Sequence, residues 1–209
     1  LDASRAATHR VHDDVPDNVA AHLVQQVGDV DTAMGKAPHR LDFDLTISRS
    51  CSMPLEGRAV HARWDPDDRS LRVYSSTQAA TSVRAAIAAK LGLPLPKVEV
   101  IAPDVGGGFG VKIMHPWPEE ILVPMAAMRL RRPVKWTEDR REHFLASAHQ
   151  RSQIHRVRVG CDDDGTIVAL ESDFLHDMGA GCQMGLLLPM IAGSVLCGPY
   201  RIDNVRYSF

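Results

Sequence analysis

The sequence predicts an α+β fold built from antiparallel hairpins and two helices, and three patterns indicate this class. Apolar and polar residues alternate along several short stretches, which is typical of strands with one buried face. Polar turns join pairs of these stretches into hairpins, and two longer stretches carry apolar residues at helical spacing. The chain shows neither the regular strand–helix alternation of a Rossmann fold nor an internal repeat.

The first part of the chain, residues 1–38, is polar and is predicted to be a connecting segment with marginal local order. Within it, Gly28 and Asp29 can start a short helix that runs to Lys36. Beyond this segment the pattern becomes that of a folded domain. A half-buried strand is expected first, with alternating apolar residues at Leu41, Phe43, Leu45 and Ile47.

A hairpin and a helix follow this strand. Residues 59–64 and 71–75 are predicted strands, joined by the polar turn 65–70. Residues 81–91 place apolar side chains at four-residue steps, which predicts a helix that ends at Gly92. A short strand-like run, residues 97–102, comes next.

The second half contains a similar mixture. A second helix is predicted over residues 119–131, with acidic residues at its start and arginines at its end. Pro124 is compatible with this helix if the helix begins near Leu122, because proline is tolerated in a first turn. A strand at 134–136 and a hairpin complete the pattern; the hairpin strands are residues 155–159 and 166–174.

Composition excludes several classes of function. The chain has 24 Lys and Arg against 26 Asp and Glu, and this net charge of −2 argues against a nucleic-acid partner. The four cysteines lack Cys-x-x-Cys spacing, so neither an iron–sulfur cluster nor a metal ligated by side chains is expected within the chain. Scattered free thiols are typical of a reducing cytoplasm. No apolar run is long enough to span a membrane.

The glycine-rich stretch Gly106–Gly110 is the most informative local feature. Successive glycines destabilise helices and strands, and they occur where backbone must approach another group closely or adopt a positive φ. Consecutive N–H groups in such a turn can bind an anion or an oxo group. The spacing fits neither the dinucleotide fingerprint nor the P-loop, because Val111 and Ile113 stand where those motifs need other residues. A bulge or tight turn is the alternative explanation.

Several motifs resemble those of the molybdenum hydroxylases, the family of xanthine dehydrogenase, aldehyde oxidase and aerobic carbon monoxide dehydrogenase, in its large, molybdopterin-binding subunit. They occur in the family's order and extend from about residue 18 to residue 209. The motifs are Ser76-Thr77-Gln78, Asp104 to Lys112, Arg132 to Trp136, Glu138 to Glu142, Asp164-Gly165, Asp177 to Ala180 and Gly198-Pro199-Tyr200. The segment Met53 to Glu56 resembles the acidic segment that precedes the glutamine in the family.

This resemblance implies a molybdopterin-cofactor-binding domain, with residues 39–209 as its first part. It also implies which residues bind the cofactor: Gln78, Gly107, Gly108, Phe109 and Gly110. Phe109 and Gly110 would line the oxo side of the metal, which the pterin dithiolene holds in place of protein side chains. The family's catalytic glutamate lies near the far C-terminal end of the large subunit, so no catalytic residue is assigned in this chain.

The enzyme implied by the resemblance is a cytoplasmic oxidoreductase that hydroxylates an aldehyde, an N-heterocycle or a similar small substrate, with water as the oxygen source. Its cofactors would be molybdenum on molybdopterin, in its simple or its cytosine dinucleotide form, with 2Fe-2S and FAD on partner subunits or domains. Its partners would include the remaining part of the molybdopterin subunit, and this piece alone would be inactive. The alternative is a non-catalytic assembly or interaction module with a relic cofactor loop.

Three single residues have competing interpretations, and a fourth bears on the substrate. Gln78 could instead cap the helix that begins near residue 81. Glu56 is interpreted as an acid that fixes loops by hydrogen bonds, in preference to a catalytic base. Lys112 can pair either with the cofactor phosphate or with an acid of its own subunit. Ile113 stands where purine-oxidising members carry a glutamate, which makes xanthine a poor candidate substrate.

Overall fold

The computed structural model describes residues 9–113, 116–181 and 184–209. The described residues fall into two compact units, each with its own β-sheet. One unit combines the residues up to Ser50 with those from Gln150 onward, and the other consists of Cys51–His149. Helices accompany both parallel and antiparallel strands, and the predicted α+β class is confirmed.

The described residues form nine strands, five α-helices and one 3₁₀ turn. They are β1 Val24–Val27, α1 Val30–Lys36, β2 His39–Cys51, β3 Ala59–Asp65, β4 Ser70–Ser75, α2 Ala80–Leu91, a 3₁₀ turn at Leu95–Lys97, β5 Val98–Ile101, α3 Pro118–Leu130, β6 Val134–Thr137, α4 Arg140–Ala146, β7 His149–Cys161, β8 Ile167–His176, α5 Leu187–Ser194 and β9 Val205–Ser208. None of the helices in the described part of the chain is long and apolar enough to cross a membrane.

The unit with both ends of the described chain is a five-stranded sheet in the order β1-β9-β8-β7-β2. The predicted hairpin is present as the antiparallel pair β7 and β8, and the short helix is present as α1. Asp29 caps α1, because its carboxylate accepts a hydrogen bond from the Thr32 N–H at 3.1 Å. Strand β1 pairs with β9, so this stretch has more regular structure than expected of a connecting segment. The boundary at residue 38 stays a prediction.

Strand β2 is present where alternation predicted it, but the prediction that its apolar face is buried is wrong. Leu41, Phe43 and Leu45 are 60%, 43% and 50% exposed. The physical reason is that no described residue of this unit packs over that face of β2.

The Cys51–His149 unit contains a four-stranded sheet in the order β5-β4-β3-β6. Strands β3 and β4 form the predicted hairpin, and helices α2 and α3 pack on the sheet around a core of small and branched apolar side chains. That core comprises Val60, Ala62, Leu71, Val73, Val83, Ile87, Ala88, Val98, Val123 and Ala127. It contains no aromatic side chain, as the low aromatic content of the sequence suggests.

Helix α3 is present where it was predicted over residues 119–131, with its bounds shifted by one residue. It starts at Pro118, and Pro124 therefore lies buried inside the helix instead of in its first turn. At the start of the helix the backbone N–H of Trp117 donates to Glu120 Oε2 at 2.9 Å, so the side chain of Glu120 reaches back to the N-cap residue. Two shorter helices, α4 and α5, and the parallel pairings of β4 with β5 and β8 with β9 were not predicted.

Candidate functional site

Four strand ends of the Cys51–His149 unit meet at one edge of its sheet. Strands β4 and β5 are parallel, so the segments that follow them, with Gln78 and the glycine loop, leave the sheet at the same edge. Strand β3 runs antiparallel to β4 and begins there, and β6 ends there, because Ala59 pairs with Thr137. Glu56, which precedes β3, and Glu138, which follows β6, are thereby placed beside the loop.

The glycine loop has the unusual backbone that its sequence suggested. Gly107 and Gly110 have φ values of +98° and +84°, in the region that L-residues with side chains rarely adopt. Phe109 is also left-handed, with φ of +48°, and its ring is mostly exposed. A Cβ added to Gly107 would lie 2.7 Å from Cε2 of that ring, so this position also lacks room for a side chain.

Gln78 lies directly against the loop. Its Oε1 accepts a hydrogen bond from the Gly110 N–H at 3.1 Å, and a Cβ added to Gly108 would lie 2.4 Å from its Cδ. The structure therefore brings together all five residues predicted to bind the cofactor. The alternative role of Gln78 as a helix cap is not what the structure shows, because α2 begins at Ala80 without any side-chain cap.

Glu56 anchors the start of the loop through one carboxylate oxygen. Its Oε2 accepts hydrogen bonds from the Gly106 N–H at 2.8 Å, the Ser76 hydroxyl at 2.8 Å and Lys112 Nζ at 2.9 Å. Lys112 Nζ also donates to the Ser76 hydroxyl at 2.6 Å. This network ties the segment before β3 to the segment after β4 and to both ends of the loop.

The electrostatics of this network settle how Glu56 and Lys112 are used in the structure. Partial burial raises the pKa of Glu56, but the hydrogen bonds from Lys112, Ser76 and Gly106 outweigh it, so the pKa lies below its ordinary value. A carboxyl group held in its anionic form is an ion-pair partner and not a poised base. The Lys112 side chain is only 1% exposed, and its ammonium group faces Glu56.

Donor groups of the loop remain available for a ligand. Among the described residues, the backbone N–H groups of Gly108 and Phe109 make no hydrogen bond. The Gly110 N–H can only donate, so it fixes Oε1 of the Gln78 amide toward the loop and leaves Nε2 as the outer, donating end. Backbone and amide donors on an exposed glycine turn suit an anionic cofactor with oxo groups, so the residues present fit the molybdenum cofactor.

A second polar network lies behind the loop, and sequence reasoning missed its role. The Arg58 guanidinium donates to Glu138 Oε1 from Nη2 at 2.7 Å and from Nε at 2.9 Å, and it lies 3.9 Å from the centre of the Trp117 ring. Glu138 also faces His143, which is 1% exposed. The segment Glu138 to Glu142 was noticed only as a motif, and nothing in the sequence indicated that Arg58 is its partner.

A groove of about 730 Å³ lies elsewhere in the same unit, along β4 and β5. Its lining contains the exposed ion pairs Arg72–Glu99 and Lys97–Asp68, and it includes none of the predicted site residues. It is a polar surface depression with charges of both signs, unlike the apolar enclosure typical of a small-molecule site.

Comparisons with known proteins identify the family to which the chain is similar. The family described as "Molybdopterin cofactor-binding domain" matches residues 11–209. The chain is 37% identical over 165 residues to the nicotine 6-hydroxylase large subunit of Paenarthrobacter nicotinovorans, covering 79% of this chain and 20% of that protein. It is 33% identical over 180 residues to the carbon monoxide dehydrogenase large chain of Hydrogenophaga pseudoflava, covering 85% of this chain and 22% of that protein.

A solved structure extends the similarity to three dimensions. The crystal structure of quinoline 2-oxidoreductase from Pseudomonas putida 86 matches with a TM-score of 0.87 at 29% identity, over 100% of this chain and 27% of that one. The chain spans about a fifth of the length of these two curated relatives. The resemblance noted in the sequence is thus confirmed, and the chain belongs to the molybdopterin cofactor-binding domain family, found in the large subunits of molybdenum hydroxylases.

Proposed function

We propose that residues 39–209 are the first part of a molybdenum-cofactor-binding region, reached through the connecting segment 1–38. The complete protein is then an oxidoreductase that hydroxylates a small substrate with water as the oxygen source. One observation carries the proposal: Gln78 packs on Gly108, where a Cβ would lie 2.4 Å away, and the adjacent N–H groups of the loop are left for a ligand.

The residues proposed to hold the cofactor are Gln78, Gly107, Gly108, Phe109 and Gly110. When bound, the cofactor supplies two-electron oxidation and transfer of an oxygen atom from water. Gln78 supplies its Nε2 donor from an amide whose orientation is fixed by Gly110. The N–H groups of Gly108 and Phe109 supply preorganised donors, which stabilise negative charge without having to reorient. The Phe109 ring, 66% exposed, supplies an apolar wall.

An aromatic N-heterocycle is the substrate class we favour. Two similar proteins are described as a nicotine 6-hydroxylase large subunit and a quinoline 2-oxidoreductase, and both named substrates contain a pyridine ring. Ile113 is 46% exposed next to Lys112, so this position offers an apolar contact to a ring and no hydrogen bond to a purine. Aldehydes are the second class, because an indole-3-acetaldehyde oxidase is 32% identical over 166 residues.

The balance of the reaction dictates further components. Adding the oxygen of water to a ring carbon releases two electrons and two protons for each turnover. We propose that 2Fe-2S and FAD groups on partner subunits or domains carry the electrons away, and that the rest of the molybdopterin subunit supplies the general base. The complex would be cytoplasmic, with the pterin in its simple or its cytosine dinucleotide form. On this account the isolated 209-residue chain is inactive.

The test is to purify the complete complex from a host that makes the cofactor. Oxidation of quinoline or nicotine in water labelled with oxygen-18 should place the label in the hydroxylated product. Molybdenum and pterin should be present in the same preparation. A complex without molybdenum or pterin would support the rival function, a non-catalytic assembly module. Turnover by the isolated chain would reject the division of the cofactor site between this piece and the rest of the subunit.

A further inference from the structure

One peptide group of the loop, which joins Phe109 to Gly110, is held at both of its ends. Its N–H belongs to Gly110 and donates to Gln78 Oε1 at 3.1 Å. Its carbonyl belongs to Phe109 and accepts from the Ser52 hydroxyl at 3.1 Å. The two bonds act on opposite sides of one planar unit, so together they fix the direction in which its dipole points.

This peptide needs such restraint because Phe109 has a left-handed backbone. A φ of +48° is unfavourable for a residue with a Cβ, and it persists where surrounding contacts determine it. Rotation of the Phe109–Gly110 peptide plane would change ψ of Phe109 and φ of Gly110, and it would turn the Gly110 N–H away from Gln78. Ser52 opposes that rotation from the carbonyl side.

Ser52 is itself fixed by a buried histidine. Its own backbone carbonyl accepts a hydrogen bond from His143 Nε2 at 2.8 Å, and the residue is 9% exposed. His143 Nδ1 lies 3.0 Å from Glu138 Oε2, and the side chains of both residues are almost completely buried. Three hydrogen bonds therefore connect Glu138 to His143, His143 to Ser52, and Ser52 to the loop.

The chemistry of the partners determines the state of the histidine ring. A backbone carbonyl can only accept, so His143 Nε2 carries a proton. Burial raises the pKa of Glu138, but hydrogen bonds from Arg58 and His143 outweigh it and hold the pKa below its ordinary value. Glu138 is thus held as a carboxylate, 3.0 Å from Nδ1 of the ring, and its counter-charge is Arg58, which also reaches Glu119.

We propose that Ser52 and His143 are positioning residues for the cofactor loop, and this rests on the proposed function. They hold the Phe109–Gly110 peptide in the orientation that sets the Gln78 amide and the Phe109 ring. Neither residue needs to touch the substrate. Their removal should therefore change the environment of the metal and the rate, beyond any change in the stability of the fold.

Ser52→Ala is the sharpest test, because it deletes only the hydroxyl that reaches Phe109 and keeps the carbonyl that His143 needs. Ser50→Ala is the matched control, because the Ser50 hydroxyl is buried and has no partner among the described residues. Ser52→Thr keeps a hydroxyl and should rescue the function. His143→Gln tests the next step, since one amide cannot donate to two acceptors on opposite sides.

The complete complex is purified with each substitution, and three properties are measured: molybdenum and pterin per chain after dialysis, turnover per bound molybdenum, and the Mo(V) electron paramagnetic resonance spectrum. For Ser52→Ala we expect turnover per molybdenum to fall about tenfold, in line with the loss of one hydrogen bond. We also expect an altered Mo(V) spectrum. Ser50→Ala should match the wild type in both, and Ser52→Thr should lie close to it.

Two results would overturn the inference in distinguishable ways. A Ser52→Ala complex with wild-type spectrum and turnover but a lower melting temperature would show that the contact only stabilises the fold. A wild-type complex that contains neither molybdenum nor pterin would reject the proposed function and, with it, this inference. If His143→Gln does not fold, the Ser52 series decides the matter alone.

Discussion

The amide of Gln78 has two ends with different tasks. Its Oε1 is used by the Gly110 N–H, and its Nε2 is the end left to donate to a ligand. The amide therefore contributes in two ways, by holding the loop through Oε1 and by donating to a ligand through Nε2, and deleting the whole side chain would remove both. A substitution that keeps the acceptor but removes the donor can be compared with one that removes both.

We predict that Gln78→Leu and Gln78→Glu both reduce turnover per bound molybdenum by about a hundredfold or more, because losing one preorganised donor typically costs about 2.7–4 kcal/mol of transition-state stabilisation. Glu keeps an acceptor for Gly110, so only Leu should also loosen the loop. Steady-state kinetics and limited proteolysis of the complete complex check this. Wild-type turnover in both variants would show that Gln78 has no role beside the metal.

Gly108→Ala should remove the cofactor without unfolding the protein. The added Cβ would lie 2.4 Å from the Gln78 amide, so the amide must be displaced from its position. Gly35→Ala is the control, because Gly35 lies in α1 with open space around it and should be neutral or stabilising by about 0.5–1 kcal/mol. Molybdenum content and melting temperature are measured for both. Full molybdenum content in Gly108→Ala would contradict the assignment of the loop.

The elements show which kinds of inference from sequence succeed. Hairpin β3–β4, helix α2 and the glycine loop were predictable, because alternation, helical periodicity and positive φ are local properties. The Ser52 bond to Phe109 and the His143 bond to Ser52 join residues 57 and 91 positions apart, and no local pattern encodes such pairs. Helix α3 was predicted to within one residue at each end, but Pro124 lies inside it and not in its first turn, because the helix begins at Pro118.

The ion pair between Glu56 and Lys112 should respond asymmetrically to substitution. Glu56→Gln leaves a buried ammonium without its counter-charge, which we expect to cost about 3 kcal/mol. Lys112→Met leaves the Glu56 carboxylate, which is 38% exposed and can be hydrated. We expect this substitution to lower the free energy of unfolding by about 1–2 kcal/mol. Chemical denaturation of the two variants and of the double substitution measures this. Equal costs, or a larger cost for Lys112→Met, would contradict the network as described.

At the scale of the whole molecule, buried titratable groups make the stability depend on pH. The folded pKa of Glu138 lies below the ordinary 4.5, because Arg58 and His143 outweigh burial. The contribution of Glu138 to the free energy of unfolding is fully present above pH 4.5, and it is lost as the pH falls through the pKa of the folded state. Burial lowers the pKa values of His155 and His176 from 6.5. These two histidines therefore also make the free energy of unfolding decrease as the pH falls below 6.5. Burial raises the pKa of Glu120, which acts in the opposite direction.

We therefore predict that the free energy of unfolding decreases from pH 7 to pH 4 and falls more steeply below that. Urea denaturation at a series of pH values checks this, with Glu138→Gln as the comparison. The variant should be less stable at neutral pH and should show a shallower acid limb, since it lacks the titrating group. An acid limb of unchanged steepness would mean that other carboxylates control the transition.

The central claim is that the loop around Gly108 and Gln78 holds a molybdenum cofactor, and the metal and pterin content of the complete protein tests it most directly. The protein is purified from a host that makes the cofactor, and molybdenum and released pterin are measured per polypeptide chain. The account predicts that both are equimolar with the wild-type chain and nearly absent from Gly108→Ala. A wild-type protein that is folded, complete and free of both would contradict it.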